Sequence, residues 1–468
     1  MTPHEAIATA LAVANAAVVA AWFTVAGAAA ALATRLPRVP KGEGWASAAV
    51  AAVAAFSALV VPFGPMGFAG AERLPEVWSA GLAGDNALLA LRVPLAALGA
   101  TGLSGETAMR LLLSMSSAAL AVSVYATARL AGVASVGALV APVVTVSWPA
   151  QLRYAGDPSE MLPTAALLAV AGAAATAVSR QTNPRSATAA VWMLAGIGVL
   201  CFHARPESPL LGCLLLLVAC RAGRARRVGA VALVVGAASG LAATLMLGSE
   251  APRAAPTVAT LVQKTLHEQY GMLDWGIAPA HWYGAAILGL LFGRSLPLGV
   301  RAAWSVNAAA LLVAFPTLGH EYNPLWGQSR YYLLLLAPVA VLSAVALAWL
   351  GRAVSGPRGA TIAAATAMVV AVVPTLTVWR PLLARPVELQ AEYGFLRATG
   401  AAVGAHQVPV VAMDGGCETP RHLQPEALVA LPLGAAGART SVMGCEAFTL
   451  KQSPVVVRAS AVLLGCVD

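Results

Sequence analysis

The chain is 468 residues long, 59% hydrophobic and only 10% charged, with a formal net charge of +9. A soluble globular domain carries roughly 25% charged residues, so the composition excludes an ordinary soluble enzyme and reads as an all-α polytopic membrane protein. The surplus of Lys and Arg then carries topological meaning.

A hydrocarbon core about 30 Å thick needs about 20 apolar residues per helix. Runs nearly free of charge number twelve: residues 6–33, 45–62, 111–128, 132–149, 161–179, 187–202, 208–220, 228–248, 282–293, 302–319, 332–350 and 360–379. No Lys or Arg precedes the first run in "MTPHEAI", so it reads as a retained span and not a secretory leader. Residues 63–110 form a long loop whose apolar stretches are too short to span and are expected to lie as interfacial helices. A second long loop covers 249–281. Its "TVATLVQKTLHEQYGMLDW" mixes apolar and polar residues at helical spacing, as a helix on the membrane surface would. Beyond 379, "VELQAEYGFLRATGAAV" reads as an amphipathic helix, and "VPVVAM" and "SPVVVRASAVLLG" read as strands. The chain thus divides into an N-terminal span with its basic loop (1–43), a transmembrane module (44–379) and a small extracytoplasmic α/β appendage (380–468). Cys417, Cys445 and Cys466 lie in the appendage, where a Cys417–Cys445 disulfide leaves one thiol over.

Walking the loops alternately places Arg35, Arg38, Lys41, Arg129, Arg180, Arg185, Arg221, Arg224, Arg226, Arg227, Arg294, Arg301, Arg352 and Arg358 on one face, with Glu43 its only acid. The positive-inside rule makes that face cytoplasmic and both termini extracytoplasmic. The expected location is the plasma (inner) membrane. The other acids and all seven histidines then gather on the outer face, which points to an outward polar site. Basic inner loops are suited to anionic lipid headgroups.

Four outer stretches carry candidate chemistry. In "RYAGDPSE", Pro158 disfavours helical geometry at Asp157, so Asp157 either caps the next helix, with Glu160 near its first turn, or one of the two acids faces a cavity. In "CFHARPESPLL", only 13 residues separate Glu207 from Arg221, about 20 Å of helix, too short to cross. His203, Arg205 and Glu207 therefore dip toward lipid, where charges pair with one another or face water. In "GHEYNPLWGQSRYYLLLLAP", Arg330 stands at a span edge, where a guanidinium suits bidentate phosphate binding. His320 and Glu321 are its neighbours, and the tyrosines and Trp326 read equally as an aromatic belt. The first long loop adds Glu72, Glu76 and Asp85. No nucleotide-binding glycine loop and no metal spacing appears, so no cofactor is called for. A divalent cation and an ordinary solvated role for these loop acids stay open.

"ALRVPLAALGATGLSGETAMRLLLSMSSAALAVSVYATARLAG" (90–132), "RPE" (205–207), "SRYYLLLLAP" (329–338) and "EYGFLRATG" (392–400) together resemble the C-class membrane glycosyltransferases (GT-C), which include lipid A aminoarabinose transferases and protein O-mannosyltransferases. The resemblance covers residues 45–400. It implies a base in the first outer loop (Glu72, Glu76 or Asp85), a further acid in the next (Asp157 or Glu160), and basic residues for a lipid phosphate (Arg205 and Arg330). The family's paired acid at the start of the first loop is absent here, where "GAER" offers one acid.

The implied activity moves a sugar from a polyprenyl-phosphate carrier to a lipid, glycan or protein acceptor outside the cytoplasm, without nucleic acid. Glu72 is the expected base, assisted by Asp157 or Glu160. Arg205 and Arg330 would hold phosphate, with His203, Glu207, His320 and Glu321 lining the same space. The alternatives are a transporter or lipid flippase and a catalytically silent lipid-binding subunit. Mid-span positions nearly free of charge disfavour a carrier.

Overall fold

The computed structural model describes residues 3–35, 41–63, 89–180, 184–205, 208–220, 225–246, 280–318, 333–354, 356, 358–359, 361–370 and six short strands between 410 and 467. The helices are α1 (Pro3–Arg35), α2 (Lys41–Val60), α3 (Leu89–Gly99), α4 (Gly105–Leu130), α5 (Ser135–Ser147), α6 (Pro149–Tyr154), α7 (Met161–Arg180), α8 (Pro184–Ala204), α9 (Pro209–Ala219), α10 (Ala225–Met246), α11 (Ala280–Phe292), α12 (Leu298–Leu318), α13 (Leu333–Val354) and α14 (Thr361–Val370). Among the described residues, α1, α2, α4, α7, α8 and α13 are long and apolar enough to cross a bilayer. The chain is a multi-pass membrane protein.

Two expectations change. The span expected over 132–149 is interrupted: α5 stops at Ser147, and α6 starts with Pro149 at its first position. Pro has no N–H for the helix ladder, and an α5 of this length, about 20 Å, is too short to cross alone. The loop expected to run to residue 110 also ends earlier, because Ser104 caps α4. The Ser104 backbone is extended and its Oγ accepts the Thr107 N–H at 3.2 Å. Glu106 and Arg129 then occupy the first and last turns, each matching the sign of the helix dipole. Gly132, at φ 80°, ends the helix in the left-handed region that glycine tolerates. The same loop contains α3, a short helix as expected there.

α8 is the centre of the bundle, flanked by α1, α7 and α10, while α4 lies between α2 and α7. Small residues permit this closeness: a Cβ on Gly196 of α8 would stand 2.9 Å from the Ala21 carbonyl oxygen of α1. Side chains bridge the helices where the apolar packing leaves a donor. Trp22 Nε1 donates to the Ala90 carbonyl at 2.8 Å, joining α1 to α3, and Ser114 Oγ donates to the Ala55 carbonyl at 3.1 Å, joining α4 to α2.

At one end of the bundle, Glu43 pairs with Arg129 and accepts from Ser135 Oγ at 3.3 Å, and Arg180 donates to the Ser295 carbonyl. These residues all come from the face with the larger basic count. The strands form three two-stranded sheets: Val410–Ala412 parallel to Arg439–Ser441, Leu450–Lys451 parallel to Cys466–Val467, and Val457–Ala459 antiparallel to Val462–Leu464. Three of these strands fall in the two segments read as β in the sequence. The amphipathic helix expected at 387–403 and the Cys417–Cys445 pair lie outside the described residues.

Candidate functional site

The segment between α6 and α7 is a tight turn. Asp157 N donates to the Tyr154 carbonyl at 3.2 Å, and Ser159 N donates to the Asp157 carbonyl at 2.7 Å. α7 then begins at Met161. The Glu160 carbonyl takes the first helical bond, from Thr164 N at 2.9 Å, and also the Thr164 hydroxyl at 2.7 Å. Glu160 therefore holds the cap position, three residues beyond Asp157. The helix thus starts beyond Asp157, where the sequence suggested a cap.

Gly156 fixes where the turn sits. A Cβ there would collide with the Pro62 carbonyl oxygen and lie 2.9 Å from the Pro62 carbonyl carbon. The bare backbone lets the end of α2, where the first long loop starts, lie directly on the turn that carries Asp157. Phe63 follows at 2% exposure, and the Arg110 guanidinium of α4 stands 5.5 Å from its ring centroid, within cation–π range.

On the other side of the turn, Arg205 Nη1 donates to Glu160 Oε1 at 2.6 Å, with side-chain exposures of 11% for Arg205 and 0% for Glu160. Arg205 belongs to the short link between α8 and α9. Ser208 fastens that link: its Oγ lies 2.7 Å from both the Cys201 and Arg205 carbonyls and shares its hydrogen between them, and its N–H donates to the Arg205 carbonyl at 3.1 Å. Two turns from different helix pairs thus meet through one charge-assisted hydrogen bond, shorter and stronger than a neutral one.

Of the residues singled out from the sequence, the fold brings together Arg205 and Glu160, with Asp157 1% exposed in the same turn. His203 stands apart from the pair in its bonding. It is 2% exposed, and its Nε2 lies 2.8 Å from Ser239 Oγ, tying α8 to α10. Ser239 Oγ lies 2.6 Å from the Val235 carbonyl and donates to it, which leaves His203 Nε2 to supply the proton of the shared bond. Glu72, Glu76, Asp85, Glu207, His320, Glu321 and Arg330 lie outside the described residues. Among the described residues, no group of three or more His, Cys, Asp or Glu is placed to hold a metal.

Other polar residues within the helices escaped the sequence reading. Gln151 Nε2 donates to Ser117 Oγ at 2.9 Å. The Trp148 and Tyr283 rings meet edge to face at 5.7 Å. Asn307 is 1% exposed inside α12 with no partner for its amide among the described residues. An amide in the middle of an apolar run was the available signal for Asn307. Gln151 sits beside the charged stretch and was eclipsed by it.

The site is a cation and a carboxylate joined where little solvent reaches them. Arg205 supplies donors in a rigid fork, and Glu160 fixes its orientation.

No protein-family model matches the sequence, and no curated protein matches it significantly. Solved structures do match in fold. ArnT from Cupriavidus metallidurans in the apo state superposes with a TM-score of 0.53 at 13% identity, over 86% of this chain and 86% of that one. The same protein bound to undecaprenyl phosphate gives 0.50 at 14% identity, over 87% and 86%. At such low identity the likeness concerns architecture, and by architecture the chain has a GT-C-like fold, the fold of ArnT.

Proposed function

We propose that the chain transfers a sugar from a polyprenyl-phosphate carrier to a hydroxyl or amine of a lipid, glycan or protein acceptor on the extracytoplasmic side of the plasma membrane. The observation that carries this reading is the buried Arg205–Glu160 pair, set at the loop end of a fold whose solved counterpart binds undecaprenyl phosphate. The resemblance of "RPE" and its companion segments to the C-class enzymes supports it independently.

The chemistry is a displacement at the anomeric carbon. The acceptor oxygen or nitrogen attacks that carbon, the bond from carbon to phosphate oxygen breaks, and polyprenyl phosphate leaves with the bonding electrons. A carboxylate takes the acceptor's proton, the role proposed for Glu72. Arg205, joined by Arg330, stabilises the charge growing on the leaving phosphate. Glu160, which accepts from Arg205, is assigned to orient it, and Asp157 is assigned to assist Glu72. Glu207, His320 and Glu321 are assigned to the polar surround, while His203, bonded to Ser239, ties α8 to α10.

The test is transfer of label from radiolabelled polyprenyl-phosphate sugars to extracted acceptors by the reconstituted chain. Wild type is expected to form product. Glu72→Ala, Asp157→Ala and Arg330→Ala are each expected to lose about a hundredfold or more, the scale of a removed acid, base or charge stabiliser. No product with any donor defeats the transferase reading, whereas full activity in all three variants defeats the assignment of roles.

A further inference from the structure

α1, α8 and α10 enclose an apolar groove of about 320 Å³, a volume typical of small-ligand cavities, about 300–1,000 Å³. Small residues create the space: Ala17, Ala20 and Ala21 on α1, with Ala195 and Gly196 on α8. The rim is open sideways, since Trp192, Val231 and Val235 are 48%, 62% and 41% exposed. In a bilayer that opening faces hydrocarbon. Two polar side chains line the groove, Thr24 and Arg227. The Thr24 hydroxyl donates to the Ala20 carbonyl at 2.7 Å, so it has no need of a ligand. Arg227 is an exposed cation in the first turn of α10, where the helix dipole also favours an anion. Among the described residues it has no ion-pair partner.

We propose that this groove binds one anionic phospholipid, its acyl chain along the α1–α8–α10 wall and its phosphate on Arg227. The chemistry argues for a phospholipid of the leaflet at the basic end of the bundle. Apart from Thr24 and Arg227 the lining is apolar, and the single charge sits in the first turn of α10, on the side of the chain with the larger basic count. The polyprenyl carrier is the weaker fit. On the proposed function its phosphate sits at Arg205, just past the end of α8 and thirteen residues beyond Trp192, about 20 Å away at the helical rise. The bound lipid would fasten α1 to the helices that position His203 and Arg205.

The test measures lipid affinity of the purified full chain by native mass spectrometry, with phosphatidylglycerol and with phosphatidylcholine as probes. Phosphatidylglycerol is expected to bind more tightly. Arg227→Ala is expected to weaken it about fivefold, the effect of one basic residue at an anionic headgroup, and to leave phosphatidylcholine unchanged. Ala20→Trp, at an exposed position on the groove wall, fills the space and is expected to weaken both lipids. Arg226→Ala, exposed next door but outside the groove, is expected to change nothing. Equal losses for Arg226→Ala and Arg227→Ala would reduce the effect to general charge and overturn the site. Unchanged binding in Ala20→Trp would overturn it as well, as would polyprenyl phosphate binding that responds to these variants where phosphatidylglycerol does not.

Discussion

Glu160→Ala is expected to destabilise the folded chain by up to about 3–5 kcal/mol, because it removes the carboxylate to which the largely buried Arg205 guanidinium donates. The reason is the asymmetry of buried ion pairs. The pair itself contributes modestly once desolvation is counted, yet removing one partner leaves the full desolvation cost of the other. Arg205→Met is expected to cost a similar amount, since Glu160 has 0% side-chain exposure. The double variant Glu160→Ala, Arg205→Met removes both charges and is expected to recover much of the loss, so the two single effects will not add. Thermal unfolding in detergent, followed by the fluorescence of the 11 tryptophans, provides the measurement. Additive losses in the double variant would show that the two residues are not coupled. The Glu43–Arg129 pair offers a comparison, with exposures of 26% and 28%. Partial exposure lets water take over when either partner is lost, so truncation there is expected to matter far less.

Gly156→Ala is the second large expected effect. The added methyl meets the Pro62 carbonyl, which is backbone and cannot rotate away. Either the turn or the end of α2 has to move. Overpacking of this kind costs about 1–3 kcal/mol in stability. The greater consequence is for function, because the turn that shifts carries Asp157 and Glu160, and a displacement of about 1 Å at a reacting group can cost on the order of a hundredfold in rate. The expected pattern is therefore a modest drop in unfolding temperature with a disproportionate loss of transfer activity. Gly44→Ala is the control. It lies on α2 with nothing near its would-be Cβ, and Ala is the better helix former. A Gly156→Ala variant with wild-type activity and stability would mean that the contact with Pro62 does not position the site.

The long Ala- and Val-rich helices were legible in the sequence, since a near-absence of charge over about 20 residues is what a bilayer-crossing helix requires. The break after Ser147 was less so. Hydropathy continues smoothly through "VVTVSWPAQL", and what interrupts the helix is the backbone of Pro149, to which a count of apolar residues is blind. The start of α4 was misjudged for the opposite reason. Glu106 and Arg110 looked like loop residues, but Glu106 suits the positive end of the helix and Arg110 rests its guanidinium over Phe63. At the site, Asp157, Glu160 and Arg205 were recognisable as charges in apolar surroundings. Their arrangement was not, because the pairing of Glu160 with Arg205 joins two turns 45 residues apart. Gly156 left no signal at all: a loop glycine reads the same whether it meets solvent or the carbonyl of Pro62.

Whether Arg205 holds the carrier's phosphate is tested by the dissociation constant of polyprenyl phosphate for the purified chain, compared between wild type and Arg205→Gln. Truncating one partner of a buried charge-assisted contact costs about 2 kcal/mol or more, which corresponds to roughly thirtyfold in affinity. Wild type is expected to bind saturably, and the variant to lose affinity by that factor. Equal affinity in the two proteins, or no saturable binding by wild type, would contradict the phosphate-holding role of Arg205.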